Sequence, residues 1–382
     1  MKFGTSANQP MTIGQKLWQV NWSLIFFLIG LAIIGCAMLY SAGDANWDPW
    51  AKRQLIRFGI GLLLIIMVAI TDIRIWLRYA YPLYFLVLGL LIAVDVIGVV
   101  GGGAQRWINL GIIQLQPSEI MKITLVLALA KFFHSRSLEE IVRPTMLIIP
   151  LLLLVAPVLL VLRQPDLGTA IILTMTAGVI FFLAGVRAWK FGLIIGSILA
   201  SLPVAWTMLH PYQKNRILIF LDPESDPLGA GYHIMQSKIA LGSGGIFGKG
   251  YLSGTQSHLN FLPEKQTDFI FTMLAEEFGM VGGLLLLAVY AIILIYSFAI
   301  ALRIHNQFGR LVTLGISGTF FFYIFINIAM VMGLLPVVGI PLPMVSYGGT
   351  AMLSIMIGFG FIICSYVHRD IRIGRHGSEA ND

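Results

Sequence analysis

Apolar runs about as long as a lipid bilayer is thick recur from one end of this chain to the other. A helix needs roughly 20 apolar residues to cross the hydrocarbon core, because each residue adds about 1.5 Å along the helix axis. Of the 382 residues, 58% are hydrophobic and only 11% are charged, which is unusual for a water-soluble domain. The sequence therefore predicts an all-α polytopic integral membrane protein.

We predict about ten transmembrane helices, all within a single membrane domain that covers residues 1–382. The predicted ranges are 22–42, 57–71, 79–98, 117–134, 142–161, 167–185, 190–209, 268–302, 309–333 and 345–367. The first range is of full length and leads into further spans, which favours a retained helix over a cleaved signal peptide. The range 57–71 is short, and Arg53, Arg57 and Asp72 are expected to hold its ends at the two interfaces.

Positive charge is unevenly distributed between the two sides of this predicted topology. Fourteen of the 25 Lys and Arg residues fall on the side of the N-terminus, in loops or at span ends. They are Lys2, Lys16, Arg74, Arg78, Lys131, Arg136, Arg143, Arg187, Lys190, Arg303, Arg310, Arg369, Arg372 and Arg375. Cytoplasmic loops carry the excess of Lys and Arg, so both termini are predicted to be cytoplasmic, with residues 368–382 as a short basic tail. The scattered charges do not indicate nucleic acid as a partner.

The longest connection, residues 210–267, is then an extracytoplasmic loop between spans 7 and 8. A loop of this length is usually functional. Tyr232 to Leu241 can form a short interfacial helix within it. The stretch GSGGIFGKG resembles a phosphate-binding loop only superficially, because Ser243 stands where the first glycine is needed and Gly250 follows Lys249. A hinge or a re-entrant turn is the better interpretation.

Several ionisable residues lie at the outer ends of the predicted spans, where the positive-inside rule does not explain the cations. They are Arg106, Glu119, Lys122, Arg163, Asp166, Lys249 and Asp268. Ionisable groups inside a membrane are costly unless they are paired, and they often mark functional sites. Glu119 and Lys122 are three residues apart on one helix and can pair. Two interpretations stay open: a structural ion pair, or a lysine that Glu119 orients towards an anionic ligand.

Arg106 and Asp166 each have an ordinary role as well as a functional one. Arg106 follows three glycines, Gly101 to Gly103, and can be solvated, touch lipid phosphate or reach a ligand. Asp166 follows Pro165 and can either cap the sixth span or bind a ligand.

Asp268 stands between the long outer loop and the eighth span, which Thr267 or Asp268 itself could cap. Nearby cations and the aromatic residues Phe261, Phe269 and Phe271 favour a chemical role for the aspartate.

Glu276 and Glu277 lie deeper in the same predicted helix as Asp268. They either pair with a cation from another span or belong to a proton path. The sequence contains no H-E-x-x-H, no Cys/His cluster and no G-x-S-x-G, which argues against a structural zinc site and a serine nucleophile of that kind.

Four motifs, in order from the third predicted span to the last, together resemble the SEDS family of bacterial shape, elongation, division and sporulation proteins. They are RWINLGIIQLQPSEIMKI, RQPDLGTA, FLPEKQTDFIFTMLAEEFG and GLLPVVGIPLPMVSYGGT. The turn VVGIPLPMVSYGG and the stretch FLPEKQTDFIF are more similar to the elongation members than to the division members.

This resemblance implies a peptidoglycan glycosyltransferase. Such an enzyme polymerises lipid II into β-1,4 glycan strands at the outer face of the bacterial cytoplasmic (inner) membrane and releases undecaprenyl pyrophosphate. Elongation members support rod shape together with a class B penicillin-binding protein, which is a transpeptidase, and with other membrane proteins of the elongation complex.

The resemblance also assigns roles to particular residues. The family's essential aspartate falls on Asp268, its arginine before WINLG on Arg106, and the aspartate of QPDLGT on Asp166. The acid and the lysine of its PSExxK motif fall on Glu119 and Lys122. Gln266 departs from the many relatives with histidine at this position, so we assign it no role in proton transfer.

The expected chemistry needs one base and several cations. Asp268 would take the proton of the acceptor hydroxyl, while Arg106, Lys122 and Lys249 would stabilise the departing pyrophosphate. A divalent cation, Mg²⁺ or Mn²⁺, could bridge Asp268 or Asp166 to the pyrophosphate, and the sequence neither demands nor excludes it. Two alternatives from other classes are a lipid II flippase and a noncatalytic scaffold of the elongation complex.

Overall fold

The computed structural model describes residues 11–101, 104–109, 111, 114–208, 211–222, 226, 230–259, 264–371 and 373–374. Phe261, Gly102, Gly103 and most of the basic tail, including Arg372 and Arg375, lie outside these residues. The elements in chain order are α1 (Ile13–Gln19), α2 (Trp22–Ala42), α3 (Trp50–Ile70), α4 (Ile73–Ile97), β1 (Val99–Gly101), β2 (Ala104–Asn109), β3 (Gln114–Leu115), α5 (Pro117–His134), α6 (Leu138–Val142), a 3₁₀ turn (Pro144–Leu147), α7 (Ile148–Arg163), α8 (Leu167–Leu183), α9 (Ala188–Met208), α10 (Pro211–Leu221), α11 (Ala230–Ser243), α12 (Thr255–His258), α13 (Ile270–Arg303), α14 (Gln307–Val331) and α15 (Gly349–Val367).

Helices account for most of each of the ten predicted ranges, and the protein is mostly helical as expected. In the described chain, seven helices are long and apolar enough to cross a membrane: α2, α3, α4, the segment Pro144–Arg163, α13, α14 and α15. The apolar helix α8 is shorter, with 17 residues. The number of crossings and the sidedness of the termini stay predictions.

Several predicted boundaries differ from the structure: helix α4, for example, begins at Ile73 rather than at residue 79. Helix α3 begins at Trp50 rather than at residue 57. Its buried Gln54 donates from Nε2 to the carbonyls of Met344, at 3.3 Å, and Ser346, at 3.0 Å, so the protein supplies acceptors for this polar side chain. Arg53 and Arg57 therefore lie inside the helix.

Helix α15 begins at Gly349 rather than at residue 345, because the preceding residues form an extended turn. Helix α13 begins at Ile270, two residues later than predicted.

A small antiparallel sheet corrects the all-α prediction. Strands β1, β2 and β3 pair in that order between α4 and α5, with Val99 opposite Trp107 and Ile108 opposite Leu115. The strands have three, six and two residues, too few to show a clear alternating pattern in the sequence. The sheet brings Arg106, in β2, to the ends of the neighbouring helices.

The large loop is more helical than predicted. Helix α11 covers the expected interfacial segment and extends it at both ends, while α10 and α12 were not predicted.

The stretch GSGGIFGKG forms a turn that is docked on α13. It lies against a break in α13 at Gly279, whose φ of 67° and ψ of −162° are not helical. The amides of Lys249 and Gly250 donate to the carbonyls of Glu276 and Glu277, both at 3.0 Å. On the other side of the break, the amides of Met280 and Val281 donate to the carbonyls of residues 245 and 246, at 2.9 and 3.1 Å. The loop thus satisfies backbone groups that the break releases from the helix.

The core of the bundle is built around α5, which is buried along nearly its whole length. Helices α4, α8 and α14 pack against it, and α15 packs against α3. Glycines allow the closest approaches: Gly315 in α14 lies against Val126 and Ile180, and Gly61 in α3 lies against Met356.

The two ends of the bundle differ in charge. At one end, which we call the basic end, Lys16 Nζ donates to the carbonyl of Ile70 at 2.8 Å, and Lys131 Nζ donates to that of Arg78 at 3.0 Å. The amide of His305 donates to the carbonyl of Arg369 at 3.1 Å, which joins the start of α14 to the end of α15 at the same end. The opposite end, which we call the sheet end, carries the three strands and the starts of α5, α8, α13 and α15.

Candidate functional site

A cavity of about 450 Å³ opens at the sheet end, and five of the six predicted site residues line it. They come from segments that are distant in the sequence: β2, the first turns of α5, the start of α8 and the turn before α13. The five residues are Arg106, Glu119, Lys122, Asp166 and Asp268. Residues 337–341 and 347–351, most of them from the VVGIPLPMVSYGG motif, complete the wall.

Asp268 is partly exposed in this cavity and lies outside any helix. The side-chain amide of the fully buried Asn327 donates both to the carbonyl of Asp268, at 3.0 Å, and to that of Ile340, at 2.7 Å. On the preceding residues, Ser346 Oγ donates to the carbonyl of Thr267 at 2.5 Å, and the amide of Tyr347 donates to that of residue 266 at 2.8 Å. The last motif therefore fixes the backbone that carries the carboxylate.

The capping role left open for Asp268 or Thr267 is not observed. Helix α13 begins after Phe269, and within the described residues no side chain caps it. Thr267 Oγ1 donates to Glu264 instead. Phe269 and Phe271 are buried in the core rather than lining the cavity, because the first two turns of α13, residues 270–277, are buried on every side.

Glu119 and Lys122 form the predicted ion pair, with Glu119 Oε1 2.7 Å from Lys122 Nζ. Both are almost fully buried, at 4% and 3% exposure. The Tyr323 hydroxyl donates to Glu119 Oε2 at 2.6 Å, and Ser354 Oγ donates to the same oxygen at 3.1 Å. Lys122 Nζ also contacts the Tyr323 hydroxyl and lies 4.4 Å from its ring centre. The carboxylate is thus held by three side chains, and the ammonium group is fixed at the cavity wall.

Asp166 caps α8 and also lines the cavity. Its Oδ1 accepts from the Thr169 amide at 3.2 Å, and its Oδ2 accepts from Thr169 Oγ1 at 2.9 Å and from Gln116 Nε2 at 3.3 Å. The capping interpretation is therefore confirmed, and it leaves the ligand interpretation open because the carboxylate stays at the cavity.

Arg106 is half-buried rather than free in solvent. Its Nε donates to the carbonyl of Gln164 at 2.9 Å, and one terminal nitrogen donates to that of Pro165 at 2.5 Å. The guanidinium group therefore ties β2 to the turn before Asp166 and places positive charge at the cavity wall.

Lys249 is the sixth predicted residue, and the structure does not bring it together with the others. Its Nζ lies 2.8 Å from Glu276 Oε1, beside the break in α13. The same oxygen accepts from Thr255 Oγ1 at 3.1 Å and from the amide of Gln256 at 2.9 Å. Glu276 thus pairs with a cation, but Lys249 belongs to the large loop rather than to the other span that one interpretation predicted. Glu277 Oε1 accepts from Ser41 Oγ of α2 at 2.5 Å.

Sequence reasoning missed four polar residues that support the site: Asn327, Tyr323, Ser346 and Ser354. Each is buried, and three of them lie in apolar helices. The available signal was the presence of hydrogen-bonding groups in predicted spans, since a buried polar group is costly without a partner.

The cavity offers little for a metal ion by itself. In the described part of the chain, no three His, Cys, Asp or Glu side chains cluster in a way that could hold a metal. Asp166 and Asp268 share the cavity, so any bound cation would need further oxygen ligands from a substrate or from water.

Comparison with known proteins identifies the family. The FtsW/RodA/SpoVE profile, described as cell cycle protein, matches residues 16–370. The chain belongs to this family. It is the SEDS family, so the prediction from the motifs is confirmed. Peptidoglycan glycosyltransferase MrdB of Escherichia coli K12 is 43% identical over 348 residues, which cover 91% of this chain and 93% of that protein. Stage V sporulation protein E of Bacillus subtilis is 36% identical over 89% of this chain and 95% of its own length.

Two solved structures share the SEDS fold seen here. One comes from work on the structural coordination of polymerization and crosslinking by a peptidoglycan synthase complex. It is 34% identical with a TM-score of 0.79, over 92% of this chain and 98% of that one. The rod shape determining protein RodA of Thermus thermophilus is 30% identical with a TM-score of 0.69, over 92% and 97%.

Proposed function

We propose that this SEDS protein is a peptidoglycan glycosyltransferase that polymerises lipid II for cell elongation. The observation that carries the proposal is that one cavity gathers a carboxylate, Asp268, with the cations Arg106 and Lys122. Glycosyl transfer from a pyrophosphate donor requires those two kinds of group. The glycosyltransferase name and 43% identity of the MrdB relative support the same activity.

The stereochemistry of the reaction calls for a single displacement. Lipid II carries its disaccharide through an α-linked pyrophosphate, and the polymer is β-1,4-linked, so each transfer inverts the anomeric carbon. The acceptor 4-hydroxyl forms the new C–O bond while the bond to pyrophosphate breaks. Inverting sugar hydrolases use a second carboxyl group as an acid because their leaving group must be protonated. Pyrophosphate leaves without protonation when cations balance its charge.

Asp268 is assigned as the general base that accepts the proton of the 4-hydroxyl. It is partly exposed to the cavity, and Asn327 and Ser346 hold the surrounding backbone in place. A positioned general base contributes roughly 10²- to 10⁴-fold to the rate. Its fixed backbone means that substrate does not have to order it.

Lys122 and Arg106 are assigned to the pyrophosphate. Glu119 and Tyr323 orient Lys122, so its charge is already in place before the substrate arrives. Preorganised charge in a partly dry site stabilises a developing anion far more than mobile charge in water does. Glu119 restrains Lys122, and Asp166 adds a second carboxylate to the cavity wall. Lys249, which is tied to Glu276 beside the α13 break, receives no direct role at the pyrophosphate in this proposal.

A divalent cation, Mg²⁺ or Mn²⁺, is compatible with this site. Asp268 and Asp166 would supply protein oxygens and the pyrophosphate the remainder, an arrangement that suits hard cations that keep some water. The cation would add positive charge at the leaving group. Removing divalent ions with EDTA and restoring them one at a time in a polymerisation assay tests this part separately.

The membrane arrangement follows from the same proposal. With the predicted ten spans and cytoplasmic termini, the basic end would face the cytoplasm, and the sheet end with its cavity would lie at the outer face of the inner membrane. The partner would be a class B penicillin-binding protein of the elongation complex, supported by the similar structure from a synthase complex that couples polymerization to crosslinking.

The test is polymer formation from fluorescent lipid II. The purified protein is combined with its cognate transpeptidase, blocked by a β-lactam, and compared with Asp268→Asn after a folding check. Long glycan strands from the wild type and none from the variant are expected. Equal product from both would remove Asp268 as the base, and no product from either would favour the flippase or scaffold alternatives.

A further inference from the structure

A second cavity, of about 750 Å³, lies at the basic end, at the far end of α13 from Asp268. It is formed where α1 meets α2 and where α13 and α15 end. Thirteen residues line it, among them Arg303, Arg369, Trp18, Trp22 and Tyr296. Neither the motifs nor the polymerisation chemistry uses any of these five.

Two arginines give this cavity its charge. Arg303 is exposed in the last turn of α13. Arg369 is held in place: it donates from Nη1 to the carbonyl of Tyr366 at 3.0 Å, and its guanidinium group lies 4.5 Å from the centre of the Tyr366 ring. The opposing charge is Asp370, whose Oδ2 is 3.8 Å from Arg369 Nε and which also lies 3.8 Å from His305. Asp370 is highly exposed, so the lining itself keeps an excess of positive charge.

The rest of the lining is aromatic and aliphatic. Trp18 and Trp22 are 90% and 54% exposed, although indole rings usually avoid open water. Tryptophans favour the level of the lipid head groups, where the ring is partly apolar and its N–H stays near water. Ile295, Ala299 and Ile300 continue the wall along α13 into the apolar part of the bundle.

Helix α1 contributes Trp18 and Gln19 to the wall of this cavity. Lys16 is anchored to the carbonyl of Ile70 at 2.8 Å, while Ile13 and Trp18 are 65% and 90% exposed. A short helix with one anchored basic residue and exposed apolar residues is typical of a segment that lies in the membrane interface.

We infer that this cavity binds an anionic phospholipid of the leaflet that faces the basic end. Its phosphate lies between Arg303 and Arg369, its glycerol region beside Trp18 and Trp22, and its acyl chains along the apolar wall of α13. The combination favours a lipid over free phosphate, because the cavity joins a cationic mouth to an apolar wall. Anionic head groups attract juxtamembrane arginines by about 1 kcal/mol each, which is about fivefold in affinity.

The test measures lipid binding to the purified full chain by native mass spectrometry. Detergent-solubilised protein is titrated with phosphatidylglycerol, with phosphatidylcholine, or with inorganic phosphate as a competitor. The wild type is expected to bind one phosphatidylglycerol at least about fivefold more tightly than phosphatidylcholine. The double variant Arg303→Gln/Arg369→Gln should lose roughly 25-fold, since each arginine contributes about fivefold.

Two further variants make the result specific. Arg187→Gln/Arg310→Gln removes the same charge from exposed positions that do not line the cavity, and its affinity should stay within about twofold of the wild type. Arg303→Lys/Arg369→Lys keeps the charge and should retain most of the binding, which separates lost recognition from a folding defect.

Three outcomes would overturn the inference. They are equal lipid binding by the glutamine double variant, an equal loss in the control double variant, and complete displacement of the lipid by inorganic phosphate, which would indicate an ion site.

Discussion

Two acid–lysine pairs have nearly the same geometry but differ in their burial and in what they border. Glu119 and Lys122 are neighbours on one turn of α5, and both line the cavity that contains Asp268. Glu276 and Lys249 come from separate segments, and they join a docked loop to a broken helix. The N–O distances, 2.7 and 2.8 Å, are nearly the same. A close acid–lysine pair therefore marks a candidate binding site only where it also borders a space that a ligand can enter.

The largest expected difference is between the carboxylates of Asp268 and Glu276. Asp268→Asn removes the proposed base and should lower the polymerisation rate by about 10²- to 10⁴-fold. Glu276→Gln keeps the shape and one hydrogen-bond acceptor, and because Glu276 lies away from the cavity it should lower the rate less than about fivefold. Steady-state rates from lipid II measure both. Similar losses in the two variants would mean that the cavity is not the reaction site.

The two lysines provide the next comparison. Lys122→Gln should lower the rate by about 10²- to 10³-fold through lost stabilisation of the pyrophosphate, whereas Lys249→Gln should cost less than about tenfold. Lys122→Gln alone also leaves Glu119 buried without its cation, so it is expected to destabilise the fold by roughly 3–5 kcal/mol.

The double variant Glu119→Gln/Lys122→Gln separates stability from catalysis. It removes the uncompensated charge and should recover much of the melting temperature while the rate stays low. Recovery of the rate along with the melting temperature would support the purely structural interpretation of the pair.

Asn327 tests how strictly the backbone of Asp268 must be held. Asn327→Leu removes the two hydrogen bonds to the carbonyls of Asp268 and Ile340. It should lower kcat by about tenfold, because the Asp268 carboxylate would no longer be aligned with the acceptor hydroxyl. Substrate binding to the cations should change little, so KM is expected to stay within about threefold. A matched control is Thr313→Val, a buried polar change in the same helix away from the cavity.

The smallest expected effect on the polymerisation rate comes from a substitution at the break in α13. Gly279→Ala places a Cβ against the amide of Gly248 and the carbonyl of Ile246, at a backbone φ of 67°. This backbone conformation is essentially restricted to glycine, and it alone costs about 1–3 kcal/mol for a residue with a side chain. A lower melting temperature and faster proteolysis of residues 244–256 are expected, with polymerisation affected less than in Lys122→Gln. Gly282→Ala is no suitable control because its Cβ would meet Phe278, whereas Gly178→Ala meets no neighbouring atom.

The sequence predicted those parts of the site that depend on short-range spacing. The Glu119–Lys122 pair follows from a separation of three residues on a helix, and the Asp166 cap follows from its position at the start of α8. The family and the apolar helices could be predicted because the motifs and the apolar runs are continuous stretches of the sequence.

Long-range contacts account for what was missed. Lys249 was expected near the pyrophosphate, but its partner Glu276 lies across the α13 break, which hydropathy alone does not reveal. The support of Asp268 by Asn327 and Ser346 joins segments about 60 and 80 residues apart. The sheet was missed because its strands are too short to show a periodic pattern.

The most direct test of the cavity as the polymerisation site is a cryo-EM structure of Asp268→Asn in complex with its transpeptidase and lipid II. The variant should retain substrate because the cations remain while the base is lost. We predict density for the pyrophosphate in the cavity at the sheet end, against Lys122 and Arg106, with the substituted side chain at position 268 facing a sugar hydroxyl. Lipid II bound elsewhere, with this cavity empty, would contradict the account.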